Sequence, residues 1–213
     1  MKITKFVHSC LLVEEADATG RVALFDPGVY STLDVESLSR LDNIYVTHGH
    51  GDHMDVDLIA QLFAKFPDVT ITTTAENVAT LAQRGITAAT SVPEGSTLFD
   101  SPHEVIRPFF DADPPQEIGV HYLDLLSHPG DSHSFSETMP VLAMPVQAPW
   151  GSPIDAVRLG LKLKPQFIIP IHDWHWSDEG RAGMYGNMEK AFARVGITFI
   201  QPVNGEAFEI NLQ

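Results

Sequence analysis

The chain has 213 residues, of which 44% are hydrophobic and 19% charged, and this balance favours a globular protein with a substantial core. Its formal net charge of −15 disfavours nucleic acids and polyanionic membranes as partners, because an acidic surface repels phosphate groups. The single cysteine, Cys10, excludes an internal disulfide bond and favours a reducing compartment, taken here as the cytoplasm. No stretch reaches the ~20 apolar residues of a membrane span.

Short β-rich runs open the chain and lead into alternating helices and strands. The first expected strands are Ile3–Val7, Leu11–Glu14, Val22–Phe25 and Asn43–Thr47. Helical periodicity over Val56–Phe66 precedes a strand at Val69–Thr74 and a helix over Glu76–Arg84, which Gly85 ends.

The second half is expected to begin with a β-meander over Thr97–Phe110 and Ile118–Leu126, followed by a strand at Val141–Val146. The remaining expected elements are a helix from Pro153 through Lys164, a strand at Phe167–Ile171, a helix at Arg181–Val195, and strands at Thr198–Ile200 and Ala207–Ile210. Strands and helices alternate without a repeat or a long linker. The sequence therefore predicts a single α/β domain over residues 1–213, with sheets in the middle and helices outside.

The strongest chemical signal is a segment rich in ligand residues that follows the fourth expected strand. It contains His48, His50, Asp52 and His53. Alternation along an extended chain places His48 and His50 on one side, and after the turn Asp52 and His53 can face a neighbouring point. Imidazole and carboxylate groups bind zinc, iron or manganese, and the intervening glycines leave the backbone free to bend around an ion. The segment therefore predicts a metal site.

The His-x-His-x-Asp-His run at His48–His53 resembles the metal-binding motif of the metallo-β-lactamase superfamily. Three further features resemble that family: an early strand that ends at Asp26, a Gly-Asp turn at Asp131, and a late strand that ends at His172. The segment Phe6–Cys10 is similar to the branch that contains ascorbate-6-phosphate lactonase. The resemblance implies a four-layer αβ/βα sandwich with metals at the edge of the sheets.

The resemblance also implies which residues bind the metals. One ion would be held by Asp52, His53 and His172, and Asp131 would bridge it to a second ion held by His48 and His50. The family usually supplies a third histidine to the second ion, but the corresponding segment here, residues 108–113, has none. Three outcomes stay open: Asp111 binds the ion, a more distant histidine such as His103 or His121 replaces the missing one, or the site holds a single metal.

Other residues are candidates for supporting roles. Asp26 is expected to orient a ligand histidine from outside the ligand set, or else to shape the turn that follows it. His8 either faces the site or is a polar strand residue, and His133 and His175 are candidate proton donors. Candidates for a partly apolar pocket wall are Trp150, Trp174, Trp176, Phe109 and Phe110.

Two nucleophiles compete with the metal site as the origin of catalysis. Ser132 follows a Gly-Asp pair, but the strand–nucleophile–helix elbow that a serine hydrolase needs is not evident around it. Cys10 is expected to be a packed core cysteine.

The sequence therefore predicts a metal-dependent hydrolase that uses a metal-bound hydroxide on a small-molecule ester, lactone or phosphoester. One or two zinc ions are expected, with iron or manganese as the other candidate metals, and Asp52 is expected to accept a proton from water. The alternatives are an iron-dependent oxidoreductase of the same fold and a catalytically silent metal-binding scaffold. Neither nucleic acid nor a membrane is expected as a partner, and a homo-oligomer is left open.

Overall fold

Two compact units make up the chain, which the computed structural model describes over residues 1–15, 19–105, 111 and 113–212. The first unit comprises Met1–Glu94 with Val203–Gln213, and the second comprises Gly95–Pro202. No helix in the described ranges is long and apolar enough to cross a membrane. The single domain expected over residues 1–213 stays a prediction.

A six-stranded mixed sheet forms the first unit. Its strands are β1 (Lys2–Lys5), β2 (Leu11–Glu14), β3 (Val22–Phe25), β4 (Asn43–Tyr45), β5 (Thr70–Thr72) and β12 (Ala207–Glu209). The strand order is β12-β1-β2-β3-β4-β5, antiparallel from β12 to β3 and parallel from β3 to β5. The carboxyl ends of β3 and β4 therefore lie side by side, and the loops that follow them begin at the same edge of the sheet.

Side-chain caps fix where the helices of this unit begin. The carboxylate of Asp55 accepts hydrogen bonds at the start of α1 (Val56–Lys65), and the hydroxyl of Thr74 does so at the start of α2 (Ala75–Ala82). A short 3-10 helix spans Val35–Ser37. Buried side chains of both helices share one apolar cluster with the strands, which includes Leu24, Ile44, Ile59, Leu62 and Leu81. Burying each of these leucines and isoleucines contributes roughly 1.5–3 kcal/mol, so the cluster holds the sheet edge rigidly.

The second unit has its own six-stranded mixed sheet. Its strands are β6 (Ser96–Phe99), β7 (Gly119–Tyr122), β8 (Leu126–His128), β9 (Val141–Pro145), β10 (Phe167–Ile171) and β11 (Thr198–Phe199). The order is β11-β10-β9-β8-β7-β6, antiparallel from β6 to β8 and parallel from β8 to β11. The loops after β8, β9 and β10 consequently leave the sheet at one edge.

Two helices complete the second unit. Ser152 and Asp155 form a reciprocal capping box at the start of α3 (Pro153–Leu163), and Lys164 ends this helix in the left-handed conformation with a φ of 55°. The second helix, α4 (Asp178–Ala193), carries the buried Phe192, against which Gly160 of α3 packs closely. The two helices therefore pack together at a glycine contact.

The α/β class predicted from the sequence is confirmed, most element boundaries shift by a few residues, and three differences are larger. The predicted meander is present as the antiparallel strands β6, β7 and β8, but β6 ends at Phe99 and residues 100–105 form no strand; residues 106–110 lie outside the described residues. The strand predicted to end at Leu126 is interrupted by two residues with positive φ, Leu123 and Asp124, so that β8 starts separately. Helix α4 begins at Asp178 because the Ser177 hydroxyl caps it.

Candidate metal centre

The loops after β3 and β4 are joined by backbone hydrogen bonds at the sheet edge. Val29 N donates to Gly51 O across 2.8 Å, and Asp55 N donates to Pro27 O across 2.9 Å. Gly28 lies so close to the second loop that a Cβ atom there would stand 1.9 Å from Asp52 O. Only glycine permits this approach, and it fixes the second loop, which carries the histidines, against the first.

Asp26, directly after β3, organises the second loop through a fully buried carboxylate. Its oxygens accept hydrogen bonds from Thr47 N at 2.8 Å, from the Thr47 hydroxyl at 2.9 Å and from His53 Nδ1 at 2.7 Å. Since a carboxylate only accepts, the hydrogen of neutral His53 resides on Nδ1 and its Nε2 carries a lone pair. Asp26 therefore sets the tautomer that a metal ligand needs.

Thr47 extends the same control to His48. The Thr47 hydroxyl gives its hydrogen to Asp26, so towards His48 Nδ1, 3.1 Å away, it can only accept. The hydrogen of neutral His48 therefore also lies on Nδ1, and Nε2 carries a lone pair. The ring centroids of His48 and His53 are 4.2 Å apart, and those of His48 and His50 are 4.8 Å apart.

His8, Asp52 and His53 bring three ligand atoms together within the first unit. The atoms lie within 4.8 Å of one another, with His8 Nε2 at 3.1 Å and His53 Nε2 at 3.8 Å from Asp52 Oδ2. His8 is buried and lies in the turn between β1 and β2, where its φ of 54° turns the ring towards Asp52. The structure thus places His8 beside Asp52 and outside a strand.

Asp131, His103 and His172 form a second group of ligand atoms, within the second unit. Asp131 Oδ2 lies 3.2 Å from His172 Nε2 and 3.7 Å from His103 Nε2, and all three residues are buried. His172 Nδ1 donates to Gln147 O across 2.6 Å, which leaves the Nε2 lone pair directed towards the carboxylate. Two acceptors at this distance repel each other unless a proton or a cation lies between them.

The residues offered for the missing third histidine differ in their surroundings. Asp111 is exposed, whereas His103 is buried within reach of Asp131. His121 lies on β7, where its Nδ1 bonds to Ser127 Oγ at 2.8 Å and its ring stacks on Phe99. Burial lowers the pKa of His121. Of the three, His103 has the surroundings of a metal ligand.

The candidate proton donors belong to a run of aromatic rings in the second unit. His133 is mostly buried and its Nε2 donates to Pro145 O across 2.8 Å; burial lowers the pKa of this histidine. His175 is exposed, and its ring centroid lies 6.3 Å from that of His172. Trp150 lies 5.1 Å from the His133 ring, and Phe109 and Phe110 lie outside the described residues.

The surroundings of the two competing nucleophiles, Ser132 and Cys10, do not favour nucleophilic catalysis. The hydroxyl of buried Ser132 accepts from Ser134 N at 3.0 Å, and no helix begins before Pro153, so no nucleophile elbow forms around Ser132 in the described part of this unit. Cys10 is 1% exposed, and burial raises the pKa of its thiol to about 12. The expected core cysteine is confirmed.

Several contacts of this site were not predicted from the sequence. Asn77 of α2 packs against Gly49, Gln147 holds His172 through its carbonyl oxygen, and Glu117 accepts a hydrogen bond from Asp131 N at 2.5 Å. None belongs to a recognisable motif. The only usable signal was their position in or near loops at the ends of strands.

The donor set in each unit fits a divalent metal ion. Neutral imidazoles whose Nδ1 hydrogens are held by oxygen acceptors are typical zinc ligands, and carboxylate oxygens complete such sites. The fit rests on the direction of the lone pairs of His48, His53 and His172.

Two solved structures have folds similar to that of this chain. Igni18, a metallo hydrolase of the archaeon Ignicoccus hospitalis, is 17% identical with a TM-score of 0.69, and 99% of each chain is covered. The isothiocyanate hydrolase of Delia radicum gut bacteria is 18% identical with a TM-score of 0.68, again over 99% of each chain. These structures confirm the predicted metallo-β-lactamase fold.

The family assignment follows from the sequence matches. Residues 2–172 match the family described as β-lactamase superfamily domain. The protein Rv0786c of Mycobacterium tuberculosis is 30% identical over 201 residues, which cover 88% of this chain and 91% of that protein. The chain therefore belongs to the metallo-β-lactamase superfamily, as its motifs predicted. The narrower resemblance to the ascorbate-6-phosphate lactonase branch stays a prediction.

Proposed function

We propose that this chain is a metal-dependent hydrolase of a small-molecule substrate. The observation that carries the proposal is the tautomer control in the first unit. Asp26, directly and through Thr47, holds the Nδ1 hydrogens of His53 and His48, so both rings present Nε2 lone pairs. Oxygen acceptors that hold the Nδ1 hydrogen in this way direct the Nε2 lone pair towards a cation.

The proposed ligands are those that the family resemblance implies: His48, His50, Asp52, His53, Asp131 and His172. We add His103 in place of the missing histidine, because it lies 3.7 Å from Asp131 and is buried, whereas Asp111 is exposed. We propose zinc as the metal, since imidazole and carboxylate ligands suit it. A bound divalent ion lowers the pKa of water towards ~7 and polarises the oxygen of the scissile bond.

Two proton transfers, from the attacking water and to the leaving group, are proposed for two different residues near the ligands. We propose that Asp52 accepts the proton of the attacking water, because its carboxylate is 24% exposed while His8 fixes one oxygen from the buried side. For the leaving group we propose His175 as the proton donor. His133 is the weaker candidate, because its Nε2 hydrogen is held by the Pro145 carbonyl, whereas His175 is exposed to solvent near His172.

The substrate that this proposal expects is an ester, a lactone or a phosphoester. The net charge of −15 makes a polyanionic substrate such as RNA unfavourable. The isothiocyanate hydrolase with the same fold is named for a small uncharged electrophile, which is consistent with a substrate of this size. A cytoplasmic location and a homo-oligomer remain predictions from the sequence.

Elemental analysis of the untreated protein, combined with a hydrolysis panel of esters, lactones and phosphoesters, tests the proposal. We expect one or two zinc ions per chain and cleavage in at least one class. His53→Ala should remove both bound metal and activity, because it deletes a proposed ligand. His121→Gln is the matched control, since His121 is a buried histidine that is hydrogen-bonded to Ser127 and is not among the proposed ligands. Full activity in metal-free protein would refute the proposal, and iron with oxygen consumption would favour the oxidoreductase.

A further inference from the structure

Five aromatic rings form a continuous arc in the second unit. Successive ring centroids lie 5.1 Å apart from His133 to Trp150, 5.8 Å from Trp150 to His172, 6.3 Å from His172 to His175 and 5.3 Å from His175 to Trp174. The rings come from the three loops that follow β8, β9 and β10, which leave the sheet at one edge. The arc therefore runs past a proposed metal ligand, His172, on both sides.

The two tryptophans of the arc are exposed to different degrees and are not core residues. Trp174 is 45% exposed and Trp150 is partly exposed, whereas Trp176 packs against the apolar cluster of this unit and against Tyr185. Tryptophan has a large apolar surface, and leaving it in water forgoes the free energy of burial. Exposed tryptophans beside a ligand residue are therefore suited to cover an apolar part of a substrate.

Lysine and arginine are absent from these loops. Residues 129–140, 146–152 and 172–177 contain no lysine or arginine. Of their three carboxylates, Asp173 is 1% exposed and is held by Arg181 Nε at 3.1 Å and by the Tyr185 hydroxyl, and Asp131 is a proposed metal ligand. The third, Glu137, is exposed to solvent. These loops thus offer no lysine or arginine to an anionic group, and Glu137 is the one exposed carboxylate that they offer to a cationic group.

We infer that the arc is a subsite for an uncharged aromatic or aliphatic group of the substrate, with Trp150 and Trp174 as specificity-determining residues. This inference rests on the proposed hydrolase function and narrows it, because it specifies the chemical character of the group that lies beside the scissile bond. The uncharged group stacks on the tryptophan rings while the scissile bond lies towards His172. An anionic substituent on that group loses its hydration without gaining a partner, and so weakens binding.

Four acetate esters with similar leaving alcohols test the inference by kinetics on the metal-loaded protein. The probes are ethyl acetate, 2-phenylethyl acetate, and the 4-carboxy and 4-trimethylammonio derivatives of the latter. We expect kcat/KM for 2-phenylethyl acetate to exceed that for each of the other three by about tenfold, the scale of one well-placed aromatic contact. Trp150→Ala and Trp174→Ala should each raise KM for 2-phenylethyl acetate by about tenfold while leaving its kcat within about twofold. Ile154→Ala, at an exposed apolar residue of α3, is the matched control and should leave KM unchanged.

Binding of the product alcohols separates this inference from the proposed function. Ligand-observed NMR titration with 2-phenylethanol and its two charged derivatives requires no turnover. Preferential binding of the neutral alcohol that both tryptophan variants weaken supports the subsite, even if no ester is cleaved and the hydrolase proposal fails. Equal or tighter binding of a charged derivative, or binding of the neutral alcohol that neither variant weakens, overturns the subsite. So does the absence of any binding. Trp174→Phe should retain most of the affinity, and its melting temperature checks that the fold is intact.

Discussion

Replacement of Asp26 is the most direct test of the tautomer control described above. The Asp26→Asn variant keeps the shape of the side chain and tolerates the backbone, because asparagine commonly adopts the positive φ of 43° found here. It replaces one accepting oxygen by an NH2 donor. If that NH2 faces His53 Nδ1, the histidine must carry its hydrogen on Nε2, where the metal should bind; if the amide is flipped, the NH2 opposes Thr47 N. Both orientations leave a conflict.

The magnitude follows from the contacts. Loss of a hydrogen-bonding partner behind a ligand histidine typically costs 10- to 100-fold in metal affinity, so we expect about that loss for Asp26→Asn. Asp26→Ala leaves three buried donor hydrogens without their acceptor, at a cost of about 1 kcal/mol or more each. The free energy of unfolding should therefore fall by about 3 kcal/mol. Chelator competition gives the metal affinity, and urea unfolding of the metal-free protein gives the stability. Wild-type zinc affinity in folded Asp26→Asn protein would refute the reasoning.

Three further predictions concern residues around the site and in the core. Cys10 should resist thiol reagents in the native protein, because burial raises its pKa to about 12, and should react only as the chain unfolds; rapid modification of the folded protein would contradict this. Gly49→Ala should lower metal affinity about tenfold, since the new Cβ would lie 2.6 Å from Asn77 Oδ1, and adding Asn77→Ala should restore part of it in the same chelator assay. Burial lowers the pKa of His121, so on acidification below the usual histidine range the unfolded chain takes up a proton first and stability falls. His121→Gln should therefore flatten the slope of unfolding free energy against pH by up to about 1.4 kcal/mol per pH unit between pH 7 and pH 5, as measured by urea unfolding.

The sequence located the strands and the ligand loops because those features are local. Hydrophobic runs that end at Asp26, Thr47 and His172 identify strand ends. The spacing of the histidines after β4 predicts that their side chains lie close together. The contacts that complete the site join residues far apart in the chain. Gln147 O meets His172 Nδ1 across 25 positions, and no local periodicity encodes such a pairing.

Backbone conformation was the other feature that the sequence did not reveal. Among the described residues, seven that are not glycine have positive φ, and three of these, His8, Asp26 and His172, are proposed site residues. A non-glycine residue in this region costs on the order of 1–3 kcal/mol, and the surrounding structure must offset it. At each of the three, a hydrogen bond of the side chain does so: from His8 to Asp52 at 3.1 Å, from His53 to Asp26 at 2.7 Å and from His172 to the Gln147 carbonyl at 2.6 Å.

This coupling makes the strain and the direction of the rings two parts of one arrangement. If a positive φ at His172 relaxed to the extended region, the ring would lose the Gln147 carbonyl and with it the tautomer that directs Nε2 towards Asp131. The next residue, Asp173, resists that relaxation because Arg181 and Tyr185 hold its buried carboxylate. The backbone strain at His8, Asp26 and His172 therefore lies where the direction of an imidazole ring matters. The contacts that offset the strain come from the next residue or from another loop, so the local pattern of residue types does not predict them.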